Sequence, residues 1–149
     1  MRRLDLPPLW LLAFALAAWV VARLEPWGLS FGGAWADLLA GLAMGGGALA
    51  ILLAVMELRR ARTAVMPHEE ASHLVTTGIF GWSRNPIYLG FAMVLLGWVL
   101  RLGAPLALAL VPVFVWVVER RFAVPEEERL RRRFGAAFER YAQATRRWI

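Results

Sequence analysis

No cysteine occurs in this chain, and no lysine: all 17 basic residues are arginine. The first absence excludes a disulfide framework, a cysteine-based zinc site and a thiol nucleophile. The second excludes a Schiff-base lysine and a Gly-Lys-Ser/Thr phosphate loop. Alternating strand patterns, repeats of fixed period and a Gly-x-Gly-x-x-Gly fingerprint are also missing, so a dinucleotide-binding sheet domain has no footing. Charge is scarce, at 19% of residues, and histidine occurs twice. What is plentiful is apolar side chain. Sixty per cent of the 149 residues are hydrophobic, with a mean hydropathy of +0.55. Ordinary soluble domains reach about 45–50% even with glycine counted. The excess argues against disorder and against a domain dissolved in water. A mass of 16.7 kDa suits one domain.

Four apolar stretches predict helices over about residues 7–24, 36–58, 86–101 and 104–120. A membrane helix needs about 20 mainly apolar residues, and helices are the elements that satisfy their own backbone in lipid. The last two stretches are near the short limit. They are joined by Leu102-Gly103-Ala104-Pro105, a turn signal, and so read as an antiparallel hairpin. Ala15-Leu16-Ala17 resembles a signal-peptide cleavage site but lies inside the first apolar run, so an uncleaved helix is expected. The expected fold is an all-α integral membrane protein: one domain, four transmembrane helices and a C-terminal amphipathic cytoplasmic helix.

Arginines set the expected orientation. Arg2 and Arg3 precede the first helix, and Arg59, Arg60 and Arg62 follow the second. Arg120, Arg121, Arg129, Arg131, Arg132 and Arg133 follow the fourth, while the other two connections hold Arg23 and Arg101. The positive-inside rule then places both termini and the central loop, residues 59–85, in the cytoplasm. Nucleic-acid binding is a poor account of the +6 charge, because the arginines track membrane borders. Membrane lipids are the expected surroundings. Gly41 and Gly45, four apart on the second helix, then Gly46, Gly47, Ala50 and Ala54, permit close approach of another helix, and tight packing alone explains them.

The central loop holds hydrophobic insertions (Leu74, Val75, Ile79, Phe80, Trp82), which argue against disorder. The tail predicts an amphipathic helix over about 125–146. Pro125 suits its first turn, Glu126, Glu127 and Glu128 its positive end, and Leu130, Phe134, Phe138 and Tyr141 its apolar stripe. Such a helix can lie on an anionic leaflet, or close over a site at the membrane boundary. His68 and His73 with Glu69 and Glu70 lack a convincing ligand spacing, so no metal is expected.

Two clusters carry residue types that an anchor does not need. The first runs from His73 through Thr76-Thr77-Gly78 and Phe80 to Arg84-Asn85-Pro86-Ile87-Tyr88-Leu89-Gly90. The second is Glu126-Glu127-Glu128-Arg129-Leu130, with Phe134-Gly135, Phe138, Tyr141 and Arg147-Trp148-Ile149 after it. The hairpin turn brings them to one membrane boundary. Each piece also has a plain reading. Arg84 can snorkel to headgroups, the glutamates can serve a helix dipole, and Tyr88 and Trp82 can be interfacial aromatics.

Together the clusters resemble the isoprenylcysteine carboxyl methyltransferase family and its bacterial relatives, including phospholipid methyltransferases. That family shows His-x-Leu-Val-Thr-x-Gly-x-Tyr, then Arg-His-Pro-x-Tyr-x-Gly, then Glu-Glu-x-x-Leu followed by Phe-Gly and Tyr. The resemblance covers roughly residues 67–149. Phe80 replaces a common Tyr, Asn85 replaces the eukaryotic His, and His73 abuts Leu74 without the intervening residue.

The resemblance implies methyl transfer from S-adenosylmethionine to a lipophilic acceptor, an isoprenylcysteine-like carboxylate or other lipid, at the cytoplasmic face of a bacterial or archaeal cytoplasmic membrane. It implies cofactor contacts from His73, Leu74, Val75, Thr77, Gly78, Arg84, Asn85, Pro86, Tyr88, Gly90, Glu126 and Glu127. It implies catalytic roles for Arg84, Asn85 and Glu127. Arg84 suits the cofactor carboxylate, either glutamate its amino group or a ribose hydroxyl, and Trp82, Phe80 and Tyr88 the adenine. An amine acceptor calls for a base among Glu127, Glu126 and His73, whereas a carboxylate acceptor needs none. Two rival classes are a non-catalytic small membrane interaction protein and a nicotinamide-dependent membrane reductase of related fold.

Overall fold

The computed structural model describes residues 5–24, 28–63 and 71–149. Arg2, Arg3, Pro67, His68, Glu69 and Glu70 lie outside the described residues. Every regular element among the described residues is helical. They are α1 (Pro7–Leu24), α2 (Ala34–Arg60), α3 (Pro86–Leu102), α4 (Leu110–Val118), α5 (Val124–Phe134) and α6 (Ala136–Ala144). Short 3₁₀ turns occupy Gly78–Gly81 and Pro105–Ala109, and a π turn occupies Glu119–Ala123.

Helices α1 and α2 are long and apolar enough to cross a membrane. Their leucines mostly face outward: Leu12, Leu16, Leu38 and Leu42 are each more than half exposed. A soluble protein would bury such a stripe in its core, whereas lipid solvates it without cost. At 17 residues, α3 is shorter.

Helix α3 is the central element. Helix α2 packs along it, and α1 and α4 pack against it and against each other. The α2–α3 seam is a backbone contact between small residues. A Cβ on Gly90 would lie 2.6 Å from Ile51 Cγ1 and 2.7 Å from the Gly47 carbonyl oxygen. Gly97 meets Met44 and Ala40 in the same way. The expected small-residue approach therefore exists, and of that set Gly47 makes it on α2. Gly41 and Gly45 have open space around them, because they lie on the other side of the helix. The core behind α3 is Leu95, Val99, Phe114, Val118 and Phe122, closed from α1 by Ala18 and Phe14.

Pro86, whose missing N–H costs nothing at a helix start, opens α3. Gly103 closes it in the left-handed conformation, φ 66°, with its N–H bonded to the Leu100 and Val99 carbonyls. Its own carbonyl accepts from Phe31 N–H at 3.0 Å, and Arg101 pairs with Asp37 at 2.9 Å. Both contacts tie the α1–α2 and α3–α4 connections together at one end of the bundle. The start of α3 and the whole of α5 and α6 therefore gather at the other end.

Two boundaries differ from the sequence expectation. The span over 104–120 is not one α-helix but a 3₁₀ turn, nine α-helical residues and a π turn that runs directly into α5. Pro125 is the physical reason for the π turn: inside a continuing helix its ring crowds the carbonyl four residues back, and a widened turn relieves that. The tail over 125–146 is likewise not one helix. Gly135, at φ 49° and ψ −123°, breaks it into α5 and α6 and lets α6 fold back.

Candidate active site

The corner before α3 and the acidic start of α5 are neighbours. Glu127 is only 5% exposed, yet it is surrounded by donors. Asn85 Nδ2 donates to its Oε1 at 2.9 Å and Arg84 NH2 to its Oε2 at 3.3 Å. Arg147, from the last residues of the chain, donates from Nε to Oε1 and from NH2 to Oε2, each at 3.0 Å. Burial alone would raise the Glu127 carboxyl. Hydrogen bonds from Arg147 and Asn85, with the charges of Arg84 and Arg147, outweigh it and hold the group below its ordinary range.

Asn85 is the residue before the first turn of α3, yet its side chain does not cap the helix. It reaches Glu127 instead, and Ser83 Oγ takes over locally by accepting from the Asn85 N–H at 3.1 Å. Arg84 is anchored by its NH1, which donates to the Ala142 and Thr145 carbonyls at 2.9 and 3.2 Å. Its Nε is buried and has no partner among the described residues. One residue before Glu127, Glu126 accepts from the Tyr88 hydroxyl at 2.7 Å. Tyr141 on α6 donates to the Phe80 carbonyl at 2.7 Å, and burial pushes its hydroxyl pKa up.

A cavity of about 400 Å³ opens beside this network. Its lining joins the polar Arg84, Asn85, Tyr88, Glu126 and Glu127 to the apolar Pro7, Ile51, Val55 and Leu58. Arg59 at the end of α2 also lines it. Its size and its mixture of apolar walls with a few fixed polar groups fit a small-molecule site, where about 300–1,000 Å³ is usual.

Of the residues expected at the site, His73, Leu74, Val75, Arg84, Asn85, Pro86, Tyr88, Glu126 and Glu127 line this cavity. Thr77, Gly78 and Gly90 lie outside its lining. Thr77 Oγ1 donates to Glu57 at 2.6 Å and Gly78 packs on that carboxylate, so this pair docks the loop onto α2. Gly90 sits in the α2–α3 seam. Trp82 is 79% exposed and also lies outside the lining, while Phe80 and Tyr88 are inside it.

The sequence alone gives Arg147, Glu119 and Ser83 no role, yet the fold joins all three to this network. Arg147 was visible only as one member of the tail cluster, and no spacing rule links it to a glutamate 20 positions away. Ile51, Val55 and Leu58 on α2 likewise carry no signal beyond being apolar.

A family profile for phospholipid methyltransferases matches residues 35–137, from the start of α2 into α6. The chain belongs to that family. The match encloses both corners of the site. The relation to phospholipid methyltransferases implied by the motifs is thus met, and membership makes this a membrane methyltransferase at the level of chemistry. The chain is also similar to an uncharacterized protein of Haemophilus influenzae, 38% identical over 63 residues, which is 42% of this chain and all of that protein. No solved structure matches the chain.

Proposed function

We propose that this phospholipid methyltransferase family member transfers a methyl group from S-adenosylmethionine to a lipophilic acceptor at the cytoplasmic face of a bacterial or archaeal membrane. The acceptor class is an isoprenylcysteine-like carboxylate or another lipid. The single observation that carries the reading is the junction of a fixed polar corner, Arg84-Asn85 with Glu126-Glu127, to an apolar cavity at the ends of lipid-facing helices.

The residues present suit the cofactor. The buried Arg84 Nε, left without an internal partner, is a donor available to a carboxylate. Glu126 offers acceptor oxygens for an amino or ribose hydroxyl group. Phe80, Phe138 and Leu130 supply apolar wall for a purine. When bound, the cofactor supplies an electrophilic methyl carbon, whose bond to sulfur breaks with its electron pair as the acceptor's bond forms.

The chain's own contribution is alignment and exclusion of water, which together can remove several kcal/mol from a barrier. Arg84 and Asn85, locked to Glu127, hold the polar end rigid. Glu127, kept ionised by three partners, is a weak base and serves as an electrostatic anchor. A carboxylate acceptor needs no base. With an amine acceptor, Glu126, which lines the cavity and holds the Tyr88 hydroxyl, is positioned to take the proton. A four-span topology with both termini cytoplasmic gives a soluble donor access from the cytoplasm and a lipid access from the bilayer.

Calorimetry in detergent with S-adenosylmethionine, S-adenosylhomocysteine and NADPH tests the class. Binding of the first two is expected. Heat with NADPH alone favours the reductase reading, and no heat with any favours a non-catalytic interaction protein. Arg84→Ala is expected to weaken S-adenosylhomocysteine about 10- to 100-fold, as loss of a charge-assisted hydrogen bond does. Arg132→Ala, which breaks an exposed pair with Glu128, should bind as the parent does. Equal losses in the two variants would refute the site.

A further inference from the structure

We propose that Arg147 is a positioning residue, the clamp that orients the Glu127 carboxylate and through it the Arg84-Asn85 corner. The proposal rests on the reading of that corner as the donor-binding site. Arg147 meets both oxygens of Glu127, through Nε and NH2 at 3.0 Å each. Arg84 meets one, at 3.3 Å, and its NH1 is committed to two backbone carbonyls. A two-point guanidinium clamp fixes the carboxylate plane, which a single long contact does not. With that plane fixed, Oε1 also receives Asn85 Nδ2 at 2.9 Å.

Arg147 is itself held. Its NH1 donates to Glu119, whose other oxygen accepts from Trp148 Nε1 at 3.3 Å. Its carbonyl accepts from Ser83 Oγ at 3.1 Å, and the Arg146 carbonyl accepts from Arg84 N–H at 3.0 Å. The C-terminal strap is thereby fastened to the very corner it serves.

The π turn makes the double contact feasible. Glu119 and Glu127 are eight residues apart, which on a regular α-helix at about 100° per residue leaves them about 80° apart in azimuth. One residue inserted as a π bulge cuts that to about 20°, so both carboxylates point the same way. A single guanidinium then bridges them.

The test is a double-mutant cycle on Glu127→Gln and Arg147→Gln, with Arg147→Lys as the charge-retaining variant. S-adenosylhomocysteine affinity and methyl-transfer KM and kcat are read alongside thermal unfolding in detergent. Arg147→Gln is expected to weaken the product at least tenfold. Arg147→Lys should recover part of that, because an ammonium cannot span both oxygens. In the Glu127→Gln background, Arg147→Gln should cost less than twofold more. Unchanged affinity in Arg147→Gln, or the same loss in both backgrounds, overturns the proposal. A parent protein that binds no S-adenosylhomocysteine refutes the proposed function instead. The clamp is then judged from unfolding midpoints alone, where additive effects of the two substitutions overturn it.

Discussion

Glu127 shows how one residue changes meaning between sequence and structure. Beside Glu126 and Glu128 it reads as part of a helix-start charge run, the family resemblance implies a catalytic role for it, and the fold buries it against Arg84, Asn85 and Arg147. Its lowered pKa sets a sign for pH. The stabilisation is full above the ordinary carboxylate range, about 4.3, and is lost as pH falls through the lower folded value. Replacing it with Gln is expected to cost about 1–3 kcal/mol at neutral pH, as losing hydrogen bonds to a buried charge does. The unfolding-midpoint gap between parent and variant should narrow from pH 7 toward pH 3. A gap that stays constant would show that the ionised carboxylate is not the stabilising species. The Arg84-Asn85-Pro86 signal was legible because Pro86 starts a helix and the pair precedes it. Arg147 was not, because its partner is 20 residues away and no periodicity connects them.

Among the elements, the α2–α3 seam shapes the cavity, since Ile51, Val55 and Leu58 of α2 line it together with Pro86, Ile87 and Tyr88 of α3. Two glycine substitutions separate packing from propensity. Gly90→Ala would force a methyl against Ile51 and the Gly47 carbonyl, and is expected to destabilise by about 1–3 kcal/mol. Gly41→Ala meets nothing within 4 Å and should be neutral, or stabilising by up to about 1 kcal/mol. Thermal unfolding in detergent with a bound-dye readout distinguishes them, and equal shifts would mean the seam is misplaced. The apolar runs of the sequence mark where helices lie, and α1 begins at Pro7 and α3 at Pro86. Sequence periodicity missed the π turn because Pro125 is compatible with both a new helix and a widened old one, and the choice depends on whether the chain before it is already helical. It missed the break at Gly135 because the apolar stripe Leu130-Phe134-Phe138-Tyr141 keeps helical spacing on both sides.

For the whole molecule, the absence of cysteine is an experimental asset. Single substitutions Ser30→Cys, in the α1–α2 connection, and Ser72→Cys, in the central loop, can be labelled in cells with a membrane-impermeant thiol reagent. The proposed topology predicts labelling at position 30 in intact cells and at position 72 only after permeabilisation. The reverse pattern would invert the orientation, and labelling of both in intact cells would remove the four-span arrangement. Composition by itself determined that this chain belongs with lipid, because apolar side chains in such excess have nowhere to hide in so small a domain. It also determined which short segments carry polar chemistry, since charged and amide groups are conspicuous against that background. Tertiary structure alone decided which of them meet. A carboxylate taken out of water must be matched by donors, and the donors to Glu127 come from two distant segments, Arg84-Asn85 and Arg147, that only the folded helices bring within hydrogen-bonding distance.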